Sequence, residues 1–225
     1  MTPAYDEVYL AGAKQVLGRA LDYASCDCGI ELASFYQAFL ASKYAGMLER
    51  GDFRVTAGMS GIELARRVMA ETEPDPSEAP AFPDPCERTG RGAEYWAGWA
   101  LAWYQWKTAA TFAEIESAVP IERVVGLYSP YHEMDITAFG AKMDALYRET
   151  RPETELKRRR RMVGLTQREL SERSGVPLRT IQQYEQRQKD INKASFDSVV
   201  ALAVALYCPN PLLLMEHVPA KPADR

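Results

Sequence analysis

LKRRRRMVGLTQRELSERSGVPLRTIQQYEQRQKDINKASFDSVVALAVAL, residues 156–206, is the stretch whose reading decides the fold. Thr166 stands three residues before Glu169, the spacing at which two side chains exchange hydrogen bonds with the unpaired backbone N–H groups of a helix start. Leu170 then faces the inside of that helix, and Ser171 beside it is small enough for a second helix to pass closely. Gly175 supplies the backbone freedom of a tight turn. Pro177 sits near the start of the next helix, where its missing N–H costs little. Ile181 and Tyr184, three apart, anchor that next helix to a core and leave Leu178, Arg179, Gln182 and Gln183 on or near its outer side.

The full spacing Thr166-Gln167-x-x-Leu170-Ser171-x-x-x-Gly175-Val176-x-x-x-Thr180-Ile181-x-x-Tyr184-Glu185 resembles the helix-turn-helix domain of the lambda-repressor/Cro (XRE) family, over residues 154–215. The resemblance implies a bacterial domain of five short helices that binds double-stranded DNA, with its second and third helices forming the motif. By that resemblance the third helix is the recognition helix, and Leu178, Arg179, Gln182 and Gln183 are its base-reading candidates. Their chemistry agrees: Arg pairs bidentately with guanine, Gln with adenine, and Leu meets a thymine methyl. Gln167 matches the family position that touches the DNA backbone. Arg158, Arg159 and the two arginines after them, with Lys189 and Lys193, are further phosphate candidates, which position a protein without specifying sequence.

Three positions and one helix depart from the family pattern. Ser171 and Pro177 replace the usual alanine and the usual Ser or Thr cap. Arg187 stands where relatives commonly carry glycine, and a left-handed backbone there would disfavour arginine by roughly 0.5–1 kcal/mol. Either the loop differs, or the arginine is retained for a phosphate contact. The fourth helix, capped by Ser195, carries Phe196, Val199, Val200, Ala203 and Leu206 as its inward face, while Ala201, Val204 and Ala205 make the remainder apolar. A helix apolar all round is normally covered, so something beyond its own domain, a second copy or the N-terminal domain, is expected on it; a homodimer that reads an inverted repeat is the expected form.

Charge divides the chain in the same place. Residues 151–193 hold 12 basic and 6 acidic side chains, a balance of +6, whereas residues 1–150 hold 13 basic and 22 acidic, a balance of −9. This predicts a polyanion-binding module attached to an acidic body, a contrast concealed by the formal charge of −4 for the whole chain. Pro152 marks the boundary. The expected organisation is an acidic helical domain at 1–150 that binds a partner or oligomerises, the DNA-binding domain at 151–218, and a flexible tail at 219–225.

Within the acidic domain, apolar residues at helical spacing predict helices over 4–24 and 30–48, and Ser60-Gly61-Ile62-Glu63 predicts a third to about residue 70. EPDPSEAPAFPDPCERTGRG, residues 73–92, holds five prolines and two glycines and reads as a loop. A fourth helix is expected at about 93–109, a fifth capped by Thr111 and Glu114, and helix again over 121–150 with a break at Ser129-Pro130. The architecture is all-α. EYWAGWALAWYQW sets Trp96, Trp99, Trp103 and Trp106 at offsets of three, four and three, on one helical face. A core stripe is the favoured reading, ahead of a partner-binding surface and of a small-ligand pocket. AGMSGIELARRVM (57–69) and YSPYHEMDI (128–136) resemble segments of uncharacterised bacterial helix-turn-helix proteins, some encoded beside toxin-like genes. That likeness specifies no activity.

Other functions find little support. No apolar run reaches the roughly 18 residues of a membrane span, and the N-terminus lacks the basic start and apolar centre of a secretion signal, so a cytoplasmic location is expected. Cys26, Cys28, Cys86 and Cys208 are expected as thiols, and Cys26-x-Cys28 with His132 or His217 lacks the usual spacing of a zinc site. His132-Glu133 resembles half of a metalloprotease H-E-x-x-H, but Ile136 occupies the second histidine's position. No metal, cofactor or catalysis is expected. The leading functional expectation is a sequence-specific transcriptional regulator, in the form of an autorepressing antitoxin whose N-terminal domain binds a toxin-like protein. The alternative is a ligand-responsive repressor with a small-molecule pocket in that domain.

Overall fold

The computed structural model describes residues 3–72, 83, 91–150 and 153–216. Most of the proline-rich stretch, Pro152 with the boundary placed on it, Cys86, His217 and the expected tail lie outside the described residues. The described residues are helical, with no strand among them. Two compact units divide the chain, Thr2–Tyr147 and Arg148–Arg225.

The N-terminal unit is built around α1 (Leu10–Asp22), which continues into a π-helical turn over Tyr23–Asp27. The single helix expected over 30–48 is two helices, α2 (Leu32–Ala41) and α3 (Lys43–Glu49). Ser42 divides them. Its backbone is extended, its hydroxyl donates to the Phe39 carbonyl at 2.7 Å, and the same oxygen accepts from Tyr44 N–H at 3.2 Å. One serine thus ends a helix and caps the next, the local competition that makes serine a poor interior residue. A single turn, α4 (Phe53–Thr56), follows under the Asp52 cap and was not anticipated. At α5 (Gly61–Thr72) the Ser60 hydroxyl accepts from Glu63 N–H as expected, while the Glu63 carboxylate reaches Arg67 at 2.6 Å, one turn further on.

Next come α6 (Ala93–Thr108) and α7 (Phe112–Ala118), the latter with a complete capping box between Thr111 and Glu114. The region expected as one interrupted helix is three: α8 (Ile121–Val125), α9 (Tyr128–Tyr131), which contains a cis Ser129-Pro130 bond, and α10 (Ile136–Thr150). Asp135 accepts from Thr137 N–H at 2.9 Å and so restarts the chain as helix after this interruption.

Glycines let α5 and α6 close on α1. A Cβ at Gly98 of α6 would lie 2.7 Å from the Leu17 carbonyl oxygen and 2.9 Å from the Gly18 Cα. One at Gly18 would meet the Tyr95 carbonyl at 2.8 Å, and one at Gly61 the Val16 carbonyl at 2.5 Å. Backbones touch at these crossings, so the larger side chains around them, Leu17, Leu21, Leu64 and Leu101, are fully enclosed. The tryptophans of α6 split into two seams. Trp96 and Trp103 are buried, with Trp96 edge-on to Tyr128 (5.8 Å) and Phe139 (5.2 Å). Trp99 and Trp106 are half-buried on the side of the N-terminal segment, where Lys14 lies over the Trp99 ring and the Trp106 indole donates to the Tyr5 carbonyl at 2.9 Å.

The C-terminal unit consists of α11 (Glu155–Met162), α12 (Gln167–Ser174), α13 (Leu178–Glu185) and α14 (Phe196–Ala205). The fifth element of the expected bundle is a 3-10 turn, Pro211–Leu214. Leu156, Leu170, Val176, Ile181, Leu202 and Leu214 lie at the centre of its core. The assignment of inward residues on α14 needs correction. Phe196 is 77% exposed, because it opens the helix one turn before Val199, the first residue to reach the core. Ala205 is buried; Val199, Leu202, Ala203 and Leu206 form the inward face, and Val204 is 70% exposed.

Candidate nucleic-acid interface

Two helices and the turn between them create the candidate surface, and each joint is closed by a side chain. At the start of α12, Glu169 N–H donates to the Thr166 hydroxyl at 3.2 Å and Thr166 N–H donates to the Glu169 carboxylate at 2.7 Å. These bonds from Thr166 hold the Glu169 carboxyl below the usual carboxylate range. The helix ends on Gly175, at φ +71°, whose N–H returns to the Ser171 carbonyl. Ser171 does more than stay small: its hydroxyl donates to the Val176 carbonyl at 2.7 Å and ties the turn down. Pro177 then caps α13 through its own carbonyl, which accepts from Thr180 and Ile181 N–H.

On α13, Ile181 and Tyr184 are buried, as their spacing predicts, and Glu185 is buried with them. Of the four base-reading candidates, Arg179 is exposed and Leu178, Gln182 and Gln183 are half-buried; Arg179 and Gln183, four apart, lie on the side away from Ile181, whereas Leu178 shares the stripe of Ile181 and Glu185.

Glu185 is the centre of the site's internal bracing, a role no sequence feature had singled out. Its carboxylate, 2% exposed, accepts from Arg160 Nε at 2.6 Å and Nη2 at 2.9 Å, and from the Gln167 amide at 2.8 Å. The remaining Arg160 nitrogen donates to the Leu165 carbonyl at 2.7 Å. One bidentate pair with filled secondary bonds therefore links α11, α12 and α13, and fixes the tilt of α13 relative to the helix that precedes the turn. The arginine run is accordingly not a uniform band of phosphate ligands. Arg160 is an internal strut, whereas Arg158 pairs with Glu155 at 2.5 Å, Arg161 with Glu153 at 2.5 Å, and Arg159 donates to the Leu213 carbonyl at 3.3 Å.

Arg187 keeps the left-handed backbone that relatives reach with glycine, at φ +54°. Its guanidinium donates to the Glu216 carboxylate and to the Glu153 carbonyl, each at 3.2 Å, so the side chain ties the ends of its own domain together. Lys189 and Lys193 are exposed in the segment after α13, with the Lys189 ammonium 5.6 Å from the Tyr184 ring centroid.

Among the described residues no group of three His, Cys, Asp or Glu side chains is arranged to hold a metal. The His132 ring stacks on Tyr128 at 4.0 Å, and its Nδ1 hydrogen-bonds the Tyr128 carbonyl. No described helix is long and apolar enough to cross a membrane.

Comparison with known proteins bears on this surface directly. Residues 156–208, from the second residue of α11 to just past α14, match a family model described as helix-turn-helix. No curated protein and no solved structure matches the chain. Residues 156–208 of this chain are an XRE-type helix-turn-helix domain, the DNA-binding fold of a transcription regulator.

Proposed function

We propose that this protein is a cytoplasmic, sequence-specific transcriptional regulator that binds an inverted repeat in duplex DNA as a homodimer. The observation that carries the reading is the division of α13: Ile181, Tyr184 and Glu185 are locked inward, while Arg179 is exposed and Leu178, Gln182 and Gln183 are half-buried. Those four contact base edges. Lys189 and Lys193 serve the phosphates; Gln167, Arg158 and Arg159 join them by sharing or exchanging their bonds to Glu185, Glu155 and the Leu213 carbonyl, while Arg187 acts inside the domain. The apolar outer side of α14, with Phe196 and Val204, supports dimerisation.

Selection of a bound sequence from random duplexes, followed by titration, tests this. Arg179→Ala and Gln183→Ala should each cost roughly 1–3 kcal/mol on the selected site and relax specificity there. Lys193→Ala should weaken all DNA alike, lowering the salt slope by about one. Equal losses on selected and random DNA for Arg179→Ala would refute its base-reading role, and protection of one unrepeated half-site by a monomer would refute the dimer.

The acidic N-terminal unit receives the signal. Its −9 charge keeps it off DNA and suits a basic protein partner, which supports the antitoxin form of the reading. Co-expression with the adjacent gene's product should give a complex through residues 1–150; a failure to associate rejects that form. A second reading, a ligand-responsive repressor, is favoured by one cavity in the same unit.

A further inference from the structure

A cavity of about 400 Å³ opens in the N-terminal unit where α1, α6 and α9 meet. Tyr95, Trp96, Trp99, Tyr128, Tyr131 and His132 supply most of its wall. That volume is at the small end of the range for ligand sites, enough for two linked or fused rings.

The wall is set before any ligand arrives. Trp96 is held edge-on between Tyr128 and Phe139, and Tyr128 lies nearly parallel to His132, at 14° between ring planes. Fixed aromatic faces and edges favour a flat ring system, which meets them in offset-stacked and edge-to-face arrangements. Little ordering is then required on binding.

Charge narrows the choice further. The unit is strongly acidic, yet none of the described residues lining this cavity is a carboxylate, although Glu133 Oε1 lies 3.7 Å from the Nε2 of the lining His132; among those described residues the strong cation is Arg91, whose guanidinium lies over the Tyr95 ring at 4.2 Å and donates to the Tyr95 hydroxyl. A second cation, Lys14, sits 4.3 Å from the Trp99 ring centroid. A cationic guest would meet the like charge of Arg91. A neutral hydrocarbon would leave the guanidinium's remaining donors unused. An anionic group takes them in charge-assisted hydrogen bonds.

We propose that this cavity binds a planar aromatic anion of about two rings, with its rings against Trp96, Trp99, Tyr128 and Tyr131 and its anionic group on Arg91. The effect of such a ligand at the operator rests on the ligand-responsive reading above; occupancy of the cavity does not.

The full chain is titrated with 8-anilinonaphthalene-1-sulfonate and, in parallel, with N-phenyl-1-naphthylamine, which has the same rings without the sulfonate. Saturable one-to-one binding of the sulfonate is expected, with fluorescence transfer from tryptophan. Arg91→Gln should weaken the sulfonate about tenfold and change the neutral amine less than twofold, the loss of one charge-assisted contact. Tyr131→Ala should weaken both probes, and Tyr131→Phe, which keeps the ring, should weaken neither. Leu212→Lys removes an exposed apolar side chain of the other unit and should change nothing. Sulfonate binding that survives Arg91→Gln and Tyr131→Ala, or that disappears with Leu212→Lys, overturns the site. Losses that are equal for the two probes in Arg91→Gln overturn its anion specificity. Operator binding by the same variants is measured separately, so a cavity that binds without altering the operator rejects only the ligand-responsive reading.

Discussion

Glu185 sits where three helices meet, and its carboxylate exchanges water for Arg160 and Gln167. A buried pair of this kind contributes little net stability over an apolar replacement, but removing one partner strands the other charge away from water. Glu185→Ala and Arg160→Ala are therefore each expected to destabilise the C-terminal unit by about 3–5 kcal/mol, and the double variant by much less than the sum. Urea unfolding of the three variants checks this; additive losses would mean that the two side chains act independently. At Arg187 two effects oppose each other, because φ +54° is strained for any residue with a Cβ while the guanidinium holds Glu216 and the Glu153 carbonyl. Alanine loses the contacts and keeps the strain, and glycine loses the contacts but relieves it. Arg187→Gly should thus be more stable than Arg187→Ala by about 0.5–1 kcal/mol, and the reverse order would show that the turn has relaxed out of the left-handed region.

At the scale of elements, the glycines of α1, α5 and α6 set how near the N-terminal helices lie. Gly98→Ala puts a methyl within 3 Å of backbone atoms of Leu17 and Gly18, which cannot rotate away as a side chain would. The substitution should cost about 1–3 kcal/mol in thermal or urea unfolding of the N-terminal unit, against the gain of under about 1 kcal/mol that alanine gives in an open helix. An unchanged melting curve would mean that α1 and α6 separate at no cost. What sequence revealed about the elements follows from where their causes lie. The capping boxes at Thr111 and Thr166, the turn at Gly175 and the buried Ile181 and Tyr184 are set by neighbours within one or two turns, and all were readable. The break at Ser42 and the short α4 were not, because apolar periodicity runs through the first and a single turn is too short to show any. The bracing by Glu185 joins residues 18 and 25 positions apart, and glycine crossings join helices still further apart, so neither leaves a local pattern. Glu185 did stand in the quoted spacing, but only its burial assigns it a partner. The cavity beside Trp96 depends on α9 folding back over α6; sequence supplied the aromatic residues and not their enclosure.

For the whole molecule, opposite charges are carried by separate compact units. Arg148–Arg225 holds 15 basic and 10 acidic side chains, a balance of +5, on a chain whose total is −4. A fragment from Arg148 keeps Glu153, which pairs with Arg161, and Glu216, which pairs with Arg187, so both of these closing pairs lie inside it. It should fold alone and bind DNA. Its advantage over the full chain must then depend on salt in a particular way. Tethered negative charge lowers non-specific affinity by repelling phosphate, and this repulsion is screened once the Debye length shrinks to about 10 Å at 0.1 M and less above that. The ratio of fragment to full-chain affinity for random duplex should therefore be largest in dilute salt and fall towards one as salt rises. On the selected inverted repeat the fragment should lose ground at every salt concentration if the N-terminal unit also holds the dimer together, since two joined half-site readers bind far more tightly than one. Filter binding across a salt series separates the two contributions. A ratio on random DNA that does not move with salt would rule out charge repulsion, leaving oligomerisation as the way in which residues 1–150 influence binding.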